Sequence, residues 1–280
     1  MTYIVHGATG AQGSPVLAAL TAAGHSGTAA VRDTSSVEGP AVAVDYTSVD
    51  SLVDAYTGAD GVFVHIPIGP LDVQMAAAHA VAEAVRRARP ARVVFSTSGS
   101  TIDDSTPPTS APEVLARELA DSGVSHAVIE PRVFLENFLL PVSLGPVRDD
   151  GVLMYPIRDD YAVSWSSHLD IADVAVRLLT DHTVTGVVSV GALPGLVGAD
   201  VAAGFAAYLD RPVTFRAITP DHYGDLITPL FGAGAAGPVV ESYHHRHTMS
   251  GEVITPDRSA QHLLGITPRT VQQWLTDLDV

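Results

Sequence analysis

The sequence predicts an α/β fold, a doubly wound parallel sheet joined to a smaller C-terminal α/β cap. Three observations predict it. Residues 3–6 form an apolar run that ends in Gly7, Gly10 and Gly13 and continues into an alanine- and leucine-rich stretch, the pattern of strand, tight turn and helix. Short apolar runs then alternate with helix-length segments to about residue 130, as a parallel sheet with crossover helices requires. After Pro141 proline and glycine become frequent and the alternation weakens. The chain is therefore divided into 1–141, the sheet core, and 142–280, a cap with elements that return to the core.

Each element follows from its local pattern. Residues 3–6 are the first strand and 14–20 the first helix, which Gly24 ends. Residues 28–31 form the second strand, closed by Arg32 and Asp33, and 42–44 the third, ending at Asp45 and Tyr46. A helix is expected over 50–56, and a fourth strand over 61–66 that Pro67 stops. The helix over 73–89 has an alanine-rich face for the sheet and arginines in its last turn, where the helix dipole favours them. Residues 92–96, 112–121 and 125–129 give a fifth strand, a helix and a sixth strand. In the second half, strand-like pieces fall at 152–154 and 187–190, with helices over 170–179, 199–208, 220–226 and 267–278. There is no internal repeat.

Composition narrows the class. The chain has 280 residues, 46% hydrophobic and 16% charged, as in a globular enzyme. Its net charge of −16 argues against nucleic acid and anionic membranes as partners. Without cysteine there is no disulfide framework, thiol chemistry or cysteine zinc site. No apolar run is long enough to span a bilayer and no signal peptide precedes the first strand, so a cytoplasmic protein is expected. All 15 cationic residues are arginine. The lack of lysine excludes a Walker-type phosphate lysine, Schiff-base chemistry and a Tyr-x-x-x-Lys dyad.

The glycine turn, Gly7-Ala8-Thr9-Gly10-Ala11-Gln12-Gly13, sits where a dinucleotide would bind. Gly7 allows the tight turn, Gly10 lets backbone approach a pyrophosphate, and Gly13 lets the helix pack close to the strand. The helix N-terminus then presents free N–H groups to the phosphates. The end of the second strand meets the adenosine ribose in such units. A carboxylate there favours NAD and an arginine favours NADP. Arg32 comes first and Asp33 follows, which reads as NADP(H).

Those residues, together with Asp45, 122–124, 130–137, 168–173, 209–213 and 264–270, resemble the NmrA-like branch of atypical short-chain dehydrogenases over nearly the whole chain. The resemblance implies a Rossmann-like fold with NADP at Gly7, Thr9, Gly10, Ala11, Gln12 and Gly13, and Arg32 at the 2′-phosphate. It implies Asp45 near the adenine, Tyr46 among the cofactor-binding residues, and His65, Ile66, Pro67, Thr97 and Ser98 on the nicotinamide side. The family's lysine before the sixth strand is absent, since Pro112 or Glu113 stands there. Some members reduce quinones or enones, and others sense the redox state of the cofactor.

Hydride transfer needs the nicotinamide face and a shaped apolar pocket. A quinone acceptor needs no dedicated acid. A carbonyl acceptor needs a donor, for which Thr97, Ser98, Tyr155 and Tyr161 are the candidates. Thr97 and Ser98 could equally serve backbone hydrogen bonds at the strand end. His65 reads either as a buried core histidine or as a nicotinamide or substrate contact. Phe134 and Asn137 are expected to line the substrate pocket. Tyr243, His244, His245, Arg246 and His247 form the densest polar-aromatic cluster, read as a mobile loop over the pocket or as a solvated loop. Zinc is set against by the spacing, so no metal is expected. Residues 231–238 have the composition of a hinge.

The resulting expectation is an NADPH-dependent oxidoreductase acting on a small apolar conjugated substrate, a quinone or related carbonyl. The alternatives are a non-catalytic NADP(H)-binding redox sensor and an isomerase or cyclase without net redox. A monomer or homodimer is expected.

Overall fold

The computed structural model describes residues 2–103 and 105–280. In chain order the elements begin with β1 (Thr2–His6), α1 (Gly13–Ala22), β2 (Ser26–Val31), β3 (Ala41–Ala43), α2 (Val49–Tyr56), β4 (Gly61–His65) and α3 (Leu71–Ala88). Then come β5 (Val93–Ser96), α4 (Ala111–Asp121), β6 (His126–Pro131), α5 (Pro141–Asp150), β7 (Val152–Tyr155) and β8 (Ala162–Val163). The rest are α6 (His168–Thr180), β9 (Gly186–Val190), α7 (Gly198–Leu209), β10 (Thr214–Ala217), α8 (Pro220–Phe231), α9 (Ala233–Thr248), β11 (Gly251–Glu252), α10 (Ala260–Leu264) and α11 (Val271–Leu278).

The chain forms two compact units. The first comprises Met1–Pro131, His168–Val190 and Thr255–Ile266, and the second Arg132–Ser167, Gly191–Ile254 and Thr267–Val280. Two segments of the second half thus belong to the first unit.

In the first unit a sheet runs in the order β3-β2-β1-β4-β5-β6-β9 with every pair parallel. Six strands are expected from the sequence. The seventh, β9, comes from the strand-like piece at 187–190 and pairs with β6 from Ala127↔Gly186 to Pro131↔Val190. The α6 helix, which packs on α1, is its crossover. Helices α2, α3 and α4 pack in series. Val62, Phe63 and Val64 of β4 are all fully buried, so this strand is covered on both faces and reads as one continuous apolar run. The α3 helix buries Ala77, Ala78, Ala80, Ala82 and Ala84, small side chains that allow close packing. Its partner α4 starts on a capping box between Ser110 and Glu113. Strand order reverses between β1 and β4, and such a switch point opens a crevice at the carboxyl ends of the strands.

The second unit holds two short parallel pairs, β7 with β10 and β8 with β11. Its core is aromatic. Phe138 lies 4.5 Å from Tyr155 and 4.7 Å from Trp165 between ring centroids, and Phe205 links it to Trp274. The α8 and α9 helices form a hairpin about Gly232, whose φ of 80° only glycine adopts freely. This corrects the expected loop across 231–247, which is the end of α8 and nearly all of α9. Glycine and Pro238 argue locally against helix, but packing overrides them. A Cβ on Gly224 would fall 2.6 Å from the Val240 side chain, so the helices touch there, and Ala236 and Tyr243 are buried two turns apart on one face. The last helix begins at Val271 rather than 267, because Thr270 caps it in a box with Gln273.

Candidate cofactor and active site

The glycine turn folds back on itself: the Gly10 N–H donates to the Gly7 carbonyl at 2.7 Å, and Gly7 has φ 61°. A Cβ on Gly13 would lie 2.3 Å from both the His6 and Gly7 carbonyl oxygens, so α1 starts hard against the end of β1. A Cβ on Gly10 would meet only the Gly7 oxygen, at 3.2 Å. Thr9, Gly10 and Ala11 are exposed. These spacings make a cradle that larger residues would fill.

The start of α1 is uncapped. Among the described residues no side chain caps it, and its first turn carries no acidic residue. Among the described residues no protein acceptor takes the N–H groups of Ala11, Gln12 or Gly13. Gln12, the capping position, turns its amide elsewhere. Its Nε2 donates to Ser98 Oγ at 2.9 Å, and its Oε1 accepts from Ser96 Oγ at 2.7 Å. The clamp draws on Ser98 in a left-handed conformation, φ 58°. Free N–H groups at a positive helix end form an anion site, so these residues fit a pyrophosphate.

The other expected cofactor residues lie on the carboxyl ends of neighbouring strands. Arg32 follows β2, is exposed, and has no partner among the described residues. The Asp33 carboxylate accepts from the Ser35 N–H at 2.9 Å and hydroxyl at 2.7 Å, which holds its pKa below the ordinary value. Asp45 is exposed and likewise bonded by the Thr47 hydroxyl and N–H. Ile66 is buried in the core, while Pro67 is half-buried. Thr97 is 3% exposed; its N–H donates to the Ile129 carbonyl, yet its Oγ1 is buried with no partner among the described residues. A buried orphan hydroxyl at a ligand edge fits a site completed by a bound group.

Tyr46, expected on the cofactor side after β3, is half-buried and turns its hydroxyl inward. Its hydroxyl lies 2.8 Å from His6 Nδ1 and 3.4 Å from the His65 carbonyl, and Tyr56 closes on His6 Nε2 at 2.8 Å. Burial drives the His6 pKa down to about 3, so the ring is neutral. His65 occupies the space a Gly7 side chain would need, since a Cβ there would sit 2.3 Å from its Nε2. Burial lowers its pKa too, and burial followed by the neighbouring His65 lowers that of His168 to about 4. His6, Tyr56, Ser96 and His168 were not among the sequence candidates. His6 was detectable only as a histidine inside an apolar strand.

The remaining candidates belong to the second unit. Asn137 bonds the Tyr155 hydroxyl, and Tyr155 and Tyr243 bond each other through their hydroxyls. Both phenols are buried, and burial raises both pKa values. Tyr161 reaches Glu252 at 3.4 Å and is pushed up to about 12, chiefly by burial. These three phenols are therefore weak acids. Phe134 is half-buried and bridges to Ser166. The expected cluster is divided by burial: Tyr243 is core with the Arg246 guanidinium 5.3 Å over its ring, His244 is exposed and paired with Asp221, and His245 is exposed.

The NmrA-like family signature matches residues 1–274. The chain belongs to the NmrA-like family. An NAD(P)H azoreductase of Xenophilus azovorans is 32% identical over 247 residues, 81% of this chain and 80% of that protein. Among solved structures, Citrobacter sp. triphenylmethane reductase superposes with a TM-score of 0.81 at 15% identity over 100% of each chain. An NADPH-dependent quinone oxidoreductase of Escherichia coli, complexed with NADPH, gives 0.76 at 18% identity over 100% of each chain. At such identities these likenesses concern the fold, and the parallel seven-stranded sheet of this NmrA-like protein is the architecture they share. Among its described residues no helix is long and apolar enough to cross a membrane.

Proposed function

We propose that this NmrA-like protein is an NADPH-dependent oxidoreductase that reduces a conjugated acceptor, a quinone or related compound. One observation carries the reading: the uncapped start of α1, with Gln12 drawn off to Ser96 and Ser98. The N–H groups of Ala11, Gln12 and Gly13 bind the pyrophosphate, and Gly10 leaves room for it. Arg32 takes the 2′-phosphate, which suits an exposed guanidinium whose neighbouring carboxylate is already bonded to Ser35. Thr97 Oγ1 and Ser98 lie on the nicotinamide side. When bound, the reduced cofactor supplies a hydride.

The state of the phenols supports the acceptor class and leaves Thr97 and Ser98 as the donor candidates for a carbonyl. Tyr155 and Tyr243 bond each other, and Tyr161 faces Glu252, so none is poised to release a proton near neutral pH. A quinone suits this chain because its reduced oxygens take protons from water. The azoreductase and quinone oxidoreductase relatives support a conjugated acceptor, and no observation favours the sensor.

The test is direct. The protein is titrated with NADPH and NADH by fluorescence, and NADPH oxidation is followed with quinones, azo dyes and enones. Preference for NADPH and turnover of a quinone are expected. Failure to bind either nucleotide would sink the proposal.

A further inference from the structure

We propose that Tyr56, His6 and Tyr46 are positioning residues for the nucleotide. They form a one-way hydrogen-bond chain that ends on the His65 carbonyl and ties the exits of β1, β3 and β4 to one another. The inference rests on the nucleotide-binding reading above and adds to it a device that sets the geometry of the turn.

The direction of the chain follows from counting donors. His6 is fully buried and contacts a phenol at each ring nitrogen, Tyr46 at Nδ1 and Tyr56 at Nε2, both at 2.8 Å. A neutral imidazole donates from one nitrogen and accepts at the other. In one arrangement Tyr56 donates to Nε2, Nδ1–H donates to Tyr46, and Tyr46 donates to the His65 carbonyl at 3.4 Å. Every hydroxyl hydrogen is then used. In the reverse arrangement Tyr46 donates to Nδ1 and Nε2–H donates to Tyr56. The Tyr56 hydroxyl hydrogen, on a side chain with 0% exposure, then has no acceptor among the described residues. Burying an unpaired donor is costly, so the first arrangement prevails. A protonated ring would donate twice and break the link from Tyr56, and burial keeps the ring neutral.

The chain links segments that local structure does not connect. Tyr46 lies 40 residues from His6, and Tyr56 lies 50. His6 directly precedes Gly7, and its own carbonyl is one of the two oxygens against which Gly13 packs. Tyr46 follows Asp45, at the exit of β3. The His65 carbonyl leads into Ile66 and Pro67, and the His65 ring fills the space beside Gly7. His65 is thus held at its backbone by Tyr46 and abuts the turn with its ring. The same volume filled with apolar side chains would pack well, whereas a satisfied polar network fixes one arrangement of the strands that carry it.

The test uses Tyr46→Phe, Tyr56→Phe and the double variant of the full chain. Each keeps the ring and removes one hydroxyl. The readouts are the Kd for NADPH, kcat with a quinone at saturating NADPH, the Tm, and the His6 tautomer by ¹⁵N NMR. We expect wild-type His6 to carry its proton on Nδ1. Each single variant should raise the Kd about three- to tenfold, the range for one hydrogen bond. The kcat should change less than the Kd. The double variant should be little worse than the worse single one, because one broken link already opens the chain. Folded variants whose Kd stays within about twofold of wild type, with only the Tm lowered, would make the network mere core and overturn the inference while NADPH binding stands. A proton on Nε2 in wild type would overturn the direction of the chain. Wild type that binds no NADPH would overturn the functional reading itself.

Discussion

Arg32 and Asp33 show how little a residue's type says until its partners are known. Adjacent in sequence, they offer opposite charges to a ribose, and each alone would argue for a different cofactor. The structure separates them, because Asp33 caps the short turn at Thr34–Ser36 while Arg32 stays exposed. Arg32→Ala should weaken NADPH binding by roughly 1.5–3 kcal/mol, the range for hydrogen bonds to a charged group, and leave NADH nearly unaffected. Equal losses in parallel titrations would count against NADP. The glycines divide in the same manner. At Gly10 a side chain would meet a single oxygen at 3.2 Å, so Gly10→Val should fold and lose NADPH binding. At Gly13 a Cβ would sit 2.3 Å from two backbone oxygens that cannot move aside, so Gly13→Val should lose stability as well. Circular dichroism melts beside the titrations separate the two. Equal melting temperatures would show that the turn tolerates what its spacing forbids.

At the scale of elements, local pattern and tertiary packing contributed differently. The run from β1 through the turn into α1 is legible because its apolar residues, glycines and helix formers are contiguous. So are β4, a continuous apolar run, and α4, with Ser110 and Glu113 at capping spacing. The first helix of the α8–α9 hairpin is legible over 220–226, but α9 is not, because its helicity depends on Val240 packing against Gly224, a contact absent from any short window. The His6 network is hidden for the same reason, its members lying tens of residues apart. The candidate cofactor site is therefore readable as a set of positions on strand ends, but not as a set of contacts. Reassigning the cluster on α9 changes its prediction. Tyr243→Ala removes a buried aromatic ring and should cost about 3–5 kcal/mol by urea denaturation. His244→Ala with His245→Ala alters exposed side chains and should stay within about 0.5 kcal/mol. If instead the histidine pair changed KM while Tyr243→Ala left stability intact, the cluster would be a substrate contact and not core.

The whole molecule should be acid-labile in a window set by its buried histidines. His6 and His168 have folded-state pKa values of about 3 and about 4, both below the ordinary 6.5, and His65 is shifted in the same direction. Above pH 6.5 the rings are neutral in both the folded and the unfolded chain, and stability is complete. Below it the unfolded chain takes up protons that the folded one refuses, so stability falls with pH until the folded pKa values are reached. Each such proton is worth about 1.4 kcal/mol per pH unit, and at pH 5 the two rings together cost on the order of 4 kcal/mol. An opposing effect exists: a chain with net charge −16 repels itself less as pH falls toward its pI of about 4.9. Salt screens that repulsion between exposed groups, whereas the buried imidazoles are screened far less. Urea denaturation in 0.15 M salt should therefore show stability dropping between pH 6 and 5, with close to two protons taken up on unfolding by His6 and His168 and a further share by His65. Imidazole proton shifts of His6 and His168 should stay constant over the same range in the folded protein. Imidazole shifts of His6 that moved over this range, together with stability that held level toward pH 5, would mean that the ring titrates in the folded state, and the neutral His6 on which the Tyr56–His6–Tyr46 chain depends would be lost with it.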